Sequence, residues 1–358
     1  LKTSRRLSIS GIPMSRIPAD NRPGISPADI ADHNSRTTLG LLRRFGPLTR
    51  QELAKHLGLT EPAITGITQR LADAGFVMGR KRITSTRYTA AEFALCPDAA
   101  FSLGLRLGAD GCEIIMLDLA CSIVRQEHVT RLDMIADAVA DMISNARVTA
   151  SLVGCGIALS PETVSARSAI EAAIGRPLGP LFFLEDSEAA INAERMLGIG
   201  DVEGGLVTIL IDDTVRAGLF IGGRPFHGMH GQAGQIGEMR SGIDGASLNE
   251  MATLPSLQRH LARATSANGW LEIAARHLHE AVLAISGFIA PGAILIGGSL
   301  PDDILASVIS RMAREREEKI RDLVIAPWIP AVQPATHPKD GVALGAALRP
   351  FTETLFPA

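Results

Sequence analysis

Apolar positions along the chain change their spacing twice, and each change marks a boundary. Residues 1–30 mix Ser, Pro, Arg and Gly with no helical or strand repeat, which predicts a mobile basic tail. From Thr37 to Phe45 the apolar residues Leu39, Leu42 and Phe45 share one helical face, and Gly46-Pro47 ends the helix. Thr49-Arg50-Gln51-Glu52 has the pattern of a capping box, in which the Thr hydroxyl accepts from the amide of Glu52 and the carboxylate reaches back. The short helix it starts turns Leu53 and Leu57 inward and ends at Gly58. Thr60 opens a third helix, with Pro62 in its first turn, Ile64, Ile67 and Leu71 on one face, and Gly75 closing it. Phe76–Met78 and Ile83–Tyr88 then read as two short strands around a basic tip, Gly79-Arg80-Lys81-Arg82. The order predicts a winged helix-turn-helix over residues 31–95.

Beyond Cys96 the spacing becomes that of an α/β body. Three strands in succession, from Phe101, from Cys112 to Leu119 and from Ser122 to Val129, precede a helix near Met134–Ala146, a strand at Leu152–Leu159 and a helix near Ser165–Ile174. A similar order returns from Leu206: strands through Phe220, a helix at Trp270–Ile289, a strand at Ala293–Ile296 and a helix from Asp302. Two similar halves facing one cleft are implied.

Composition narrows the function. Of 358 residues 46% are hydrophobic and only 4% aromatic, which argues against a carbohydrate-binding β-sandwich or an aromatic platform for single strands. The longest apolar stretch, Ile285–Gly298, is broken by Ser286, Gly287 and Pro291 and is too short to span a bilayer. Pro13, Arg16, Pro18 and Asp20 interrupt any signal-peptide core, and Cys96, Cys112, Cys121 and Cys155 lack metal or disulfide spacing, so a reduced, cytoplasmic protein is expected. The net charge of -3 conceals an asymmetry: residues 1–95 hold 15 Lys/Arg against 7 Asp/Glu, and the remainder 20 against 31. A basic front on an acidic body points to a polyanion partner, duplex DNA. The apolar stripe of the third helix turns Thr60, Glu61, Ala63, Thr65, Gln69 and Arg70 toward base edges or phosphates, while Arg80, Lys81, Arg82 and Arg87 would follow the backbone or minor groove. A three-helix protein-docking module has the same apolar spacing and is the alternative.

The body resembles the ROK family of repressors and sugar kinases over about residues 36–350, and within it the transcription-regulator branch. Gly228-Met-His-Gly-Gln-Ala-Gly-Gln-Ile-Gly-Glu-Met239 is similar to the family's GANGxAGEIGH segment and Leu184-Glu-Asp-Ser-Glu-Ala-Ala190 to its ENDANAA segment, supported by Ile296-Gly-Gly298 and Gly345-Ala-Ala347. The resemblance implies an actin-like, hexokinase-like, ribonuclease-H-like duplicated fold, with lobe one at about 96–200 plus 338–358 and lobe two at about 201–337. It also implies a small effector in the cleft, a sugar, amino sugar or polyol; a homodimer or higher homo-oligomer is expected because one winged helix contacts only a few base pairs and symmetric regulators match two half-sites.

The kinase machinery implied by the same resemblance is degraded. Phosphoryl transfer depends on close glycine backbone, neutralising cations and a carboxylate base. The family's DxGGT corresponds to Arg106-Leu-Gly-Ala-Asp110, and GTGIGAG to Asp212-Asp-Thr-Val-Arg-Ala-Gly218, so carboxylates stand where nucleotide oxygens would lie. Asp186 keeps the place of the catalytic base, as a vestige. Neither catalysis nor a cofactor is expected; a sugar kinase with an accessory winged helix and a ligand-free scaffold are the rival readings. Effector contacts implied by the resemblance fall on Glu185, Asp186, Gln235, Glu238 and Glu250, of which Asp186 and Glu250 match the family and the others depart from it. Relatives' zinc cluster has no counterpart, because Ser241–Asn249 holds no Cys and only His227 and His230 remain nearby, so no metal is expected.

Overall fold

The computed structural model describes residues 27–81, 91–108, 111–145, 152–160, 163–174, 179–240, 242, 244–322 and 328–357. Helix α1 (Pro27–Phe45), strand β1 (Leu48–Thr49), helices α2 (Arg50–Leu57) and α3 (Glu61–Asp73), and strands β2 (Val77–Lys81) and β3 (Ala91–Leu95) form the front domain. Its sheet runs β1-β3-β2. The capping box forms: the amide of Glu52 donates to Thr49 Oγ1 at 3.2 Å and the amide of Thr49 to Glu52 Oε2 at 2.8 Å. Gly58 closes α2 in the left-handed region at φ 65°, where glycine carries no Cβ penalty.

Two local expectations need correction, and a third falls outside the described residues. Helix α1 begins at Pro27, not near Thr37, so the segment read as tail includes its first turn. Proline suits an initial turn, where its missing amide would have no partner, but no apolar stripe marks this one in the sequence. Gly79, Arg80 and Lys81 belong to β2 itself, paired with Phe93, Glu92 and Ala91. The returning strand is Ala91–Leu95; the expected strand at 83–88, with Arg82 and Arg87, lies outside the described residues.

The body contains two sheets of one design. In the first, β4 (Phe101–Gly108), β5 (Gly111–Asp118) and β6 (Ile123–Val129) form an antiparallel meander, and β7 (Leu152–Leu159) and β8 (Leu181–Glu185) add in parallel, giving the order β6-β5-β4-β7-β8. Helices α4 (Ile135–Asn145) and α5 (Arg167–Ile174) and, after β8, α6 (Asp186–Leu197) accompany it. In the second, β9 (Leu206–Ile211), β10 (Val215–Ile221) and β11 (Arg224–Pro225) repeat the meander and β12 (Ala293–Gly298) and β13 (Val332–Pro334) the parallel pair, in the order β11-β10-β9-β12-β13. Its helices are α7 (Leu248–Met251), α8 (Leu254–Leu261), α9 (Asn268–Ile289) and α10 (Asp302–Asp322). The last helix, α11 (Gly341–Thr354), returns to the first sheet. A Cβ on Gly156 would stand 1.9 Å from Ala346 O, so a bare backbone at that position lets α11 lie on β7.

Apolar packing is continuous across the front boundary. One buried cluster runs from Leu39, Leu42, Leu53 and Ile64 of the winged helix to Leu344, Leu348 and Phe351 of α11 and Phe356 beyond it. Burying such side chains is worth about 1.5–3 kcal/mol each, so the front domain is anchored on the body rather than tethered to it. Among the described residues no helix is long and apolar enough to cross a membrane.

Candidate functional site

Two surfaces carry chemistry: the outer face of α3 and the cleft between the sheets. On α3, Ile64, Ile67, Thr68 and Leu71 are buried against the domain core, which leaves Thr60, Glu61, Ala63, Thr65, Gln69 and Arg70 exposed. Thr65 Oγ1 donates to Glu61 O at 3.0 Å, and Gln69 Nε2 to Asp73 Oδ1 at 2.8 Å, so both polar side chains are held against the helix surface. Lys81 is exposed on β2. Arg80 projects from the same strand but spends part of its charge on Glu92, Nε to Oε1 2.6 Å.

The cleft forms where the carboxyl ends of parallel strands from both sheets meet, the place where open α/β sheets receive ligands. Arg106 stands near the end of β4, and Ser160, Asp186, Asp212 and Ser299 each directly follow a strand, β7, β8, β9 and β12. They line a cavity of about 530 Å³ together with Thr163, Asp213, Arg216 and Gln258. Arg216, on β10, reaches across the cavity and pairs with Asp186 of α6. Asp186 is 4% exposed and Arg216 9%, which makes this a buried ion pair joining the two lobes. A second bridge lies beside it: Arg106 Nη2 is 3.0 Å from Asp212 Oδ1 and 3.3 Å from Ser299 Oγ, and Ser299 Oγ donates to Asp212.

Electrostatics follow from burial. Burial pushes the Asp186 carboxyl up to about 6; Arg216 pulls it back and Asp212 adds to the rise. Burial works against the charge of Arg106, yet Asp212 and Glu113 outweigh it and its pKa is raised. A smaller cavity of about 260 Å³ adjoins through Arg106, Gly108 and Ser299 and holds Glu113, His128, Lys339 and Asp340. Burial and the neighbouring Asp340 push Glu113 up to about 7.

Of the five effector residues implied by the sequence, the larger cavity takes only Asp186. Glu185, Gln235 and Glu238 are exposed. Glu185 has its carboxyl raised by partial burial, with His227 and Arg216 pulling the other way. Glu238 Oε1 accepts from Asn249 Nδ2 at 2.8 Å, and Asn249 Oδ1 in turn accepts the amide of Val215 at 2.8 Å. Glu250 is occupied locally: its carboxylate accepts the amide of Ser247 at 2.7 Å and completes the capping box of α7. These hydrogen bonds hold its carboxyl below the usual range. The expected gathering of four carboxylates is therefore replaced by two arginine–carboxylate bridges. Among the described residues no group of three or more His, Cys, Asp or Glu is placed to hold a metal ion.

Comparison with known proteins follows this division of the chain. The MarR family model matches residues 32–87. The DNA-binding transcriptional dual regulator NagC of Escherichia coli is 23% identical over 231 residues, 58% of this chain and 57% of that one, so the chain spans little more than half the length of this relative. The crystal structure of a ROK family transcriptional regulator, a homolog of the E. coli MLC protein, superposes with a TM-score of 0.64 at 18% identity, over 90% of this chain and 99% of that one. The fold is that of a ROK family transcriptional regulator. Without the front domain it is also that of a ROK hexokinase: the enzyme from Thermus thermophilus matches 69% of this chain and 97% of its own, with a TM-score of 0.51 at 20% identity.

On the ROK frame the residues that sequence reasoning missed are Arg216, Arg106 and Ser299 in their paired roles. Arg106 and Arg216 were visible as replacements of a loop acid and a loop glycine. Their partners were not, because 30 residues separate Arg216 from Asp186 and Ser299 is 193 from Arg106. Glu250 had a local signal that competes with the resemblance, since Ser247-Leu-Asn-Glu250 is itself a capping-box pattern.

Proposed function

We propose that the protein is a DNA-binding transcriptional repressor whose ROK body binds a small polyhydroxyl effector, a sugar, amino sugar or polyol, and transfers no phosphoryl group. The observation that carries this reading is the Arg216–Asp186 pair. A general base must reach the substrate hydroxyl and be free to accept its proton. Asp186 lines the cavity, but its carboxylate is paired with a guanidinium that grows from a position where the resemblance places a phosphate-loop glycine, so it is not free to take that proton. The exposed face of α3 and the basic strand β2 give the front domain the means to bind duplex DNA, positioning through phosphates and reading through the major groove. One such domain contacts few base pairs, so the protein acts as a homodimer or higher homo-oligomer on an inverted repeat.

Two measurements on the full chain test the body's part. With ATP, Mg²⁺ and a panel of hexoses, hexosamines and polyols, no ADP forms above the rate without protein; turnover on any of them refutes the reading. Calorimetric titration with the same panel gives saturable heat for at least one compound, and that heat is lost in Asp186→Ala. Binding that survives Asp186→Ala places the effector elsewhere.

A further inference from the structure

Helix α6 has one end in the cleft and the other at the DNA-binding domain. Its first residue is Asp186, held by Arg216 of the second lobe. At the other end of this 12-residue helix, Met196 O accepts from Arg43 Nη1 of α1 at 2.6 Å. The helix spans roughly 17 Å at about 1.5 Å per residue. The C-terminal end of a helix carries exposed carbonyls and partial negative charge, so a guanidinium supplied by another domain caps it well. Arg43 is half-buried at this contact, and that burial lowers its pKa.

Helix α11 runs beside α6 with the same polarity. Asp340, at its N-cap, lines the smaller cavity next to Arg106. At its far end Arg36 of α1 donates to Thr352 O at 2.7 Å and to Phe356 O at 2.9 and 2.6 Å. The two helices are fastened along their length. Asn192 Nδ2 donates to Gly345 O at 3.0 Å, Arg349 Nη1 lies 3.1 Å from Glu188 Oε1, and a Cβ on Gly345 would fall 1.7 Å from Ala189 O. On its other side α6 touches the second lobe, where a Cβ on Gly218 of β10 would meet Ser187 O at 2.4 Å. A displacement of the second lobe therefore acts directly on α6, and close-packed elements transmit shifts rather than absorb them.

We propose that α6 and α11 form one strut that carries the state of the cleft to the winged helix, with the Arg216–Asp186 pair as its input and the Arg36 and Arg43 contacts as its output. This deepens the repressor reading and relies on it only where DNA is the readout. Two sites biasing one element are coupled reciprocally, with effects typically of about 5- to 150-fold.

The test is a mutant cycle on the full chain, read by hydrogen–deuterium exchange at α1. Arg216→Ala accelerates exchange of the amides of residues 36–45 by about fivefold or more, although the substitution lies at the far end of the strut. With Arg36→Ala and Arg43→Ala already present, adding Arg216→Ala leaves those amides unchanged while peptides around residue 186 still respond; Arg43→Lys, which keeps a donor for Met196 O, restores the coupling. If Arg216→Ala loses its far-UV circular dichroism, Arg216→Gln carries the same cycle with the side-chain volume retained. Unchanged α1 exchange in the folded single variant, or independent multiplicative effects in the triple variant, overturns the strut. In a second arm, affinity is measured for a duplex selected by the wild type from a random library, with the same non-additivity expected. A wild type that selects no duplex refutes DNA binding alone, and the exchange result still decides the strut.

Discussion

Replacing Asp186 with Asn keeps the shape of a side chain that is 4% exposed and removes its charge, which isolates what burial does to that carboxyl. Its folded-state pKa, raised to about 6 from 3.8 chiefly by burial, means that the folded protein holds this proton more tightly than the unfolded chain. Protonated Asp186 therefore contributes stability that is fully present below about 3.8 and is lost as pH rises through about 6. At 1.36 kcal/mol per unit the whole effect is about 3 kcal/mol, of which about 2 kcal/mol falls between pH 4 and 7. Asn does not titrate, so subtracting its stability removes the other ionisable groups. The assay is urea unfolding of wild type and Asp186→Asn at pH 4, 5, 6 and 7, followed by tryptophan emission, since Trp270 and Trp328 both report on the second lobe. Wild type should lose about 2 kcal/mol relative to Asp186→Asn across that range. A difference that stays flat shows a solvated carboxylate and an open cleft. A difference of opposite sign shows that Arg216 more than offsets the burial. Either outcome refutes the electrostatic account of the Arg216–Asp186 bridge.

Three further outcomes are expected. Thr49→Ala removes the hydroxyl of the α2 capping box and should destabilise the protein by about 1 kcal/mol, as measured by thermal unfolding. Gly345→Ala forces the backbones of α6 and α11 apart and should cost about 2 kcal/mol or more, with increased exchange along both helices. Changing Arg80, Lys81 and Arg82 together to Ala should weaken binding to every duplex and flatten the dependence of log K on log salt by up to about 0.9 for each phosphate no longer neutralised, whereas Thr65→Ala or Gln69→Ala should alter sequence preference and leave the slope alone.

The elements that could be read from the chain are those whose information is local. The stripe Ile64, Ile67 and Leu71 defines α3 and, by subtraction, its exposed face; Thr49 and Glu52 define the start of α2; short apolar runs mark β4, β5, β7 and β9. What escaped has physical reasons. The first turns of α1 lack an apolar stripe, and in β2 only Val77 is buried, so no repeat announces that Gly79–Lys81 continue the strand. Strand β8 is five residues long and α7 four, too short for a period to show. In the cleft, the loss of a phosphate-loop glycine at Arg216 was legible, but where its guanidinium goes depends on bringing β10 against α6. Glu250, to which the family resemblance points, caps α7 and does not line the cavity. The resemblance also led to Asp186, which does line the cavity, though with its carboxylate taken up by Arg216.

Whether this fold works on DNA is decided by presenting the full chain with a random duplex library, sequencing what it retains, and titrating the enriched duplex against salt. The expected result is enrichment of an inverted repeat whose affinity falls steeply and linearly in log K against log salt and drops when Arg80, Lys81 and Arg82 are replaced. No enrichment over the input library, or binding that is indifferent to salt and to those substitutions, would contradict it.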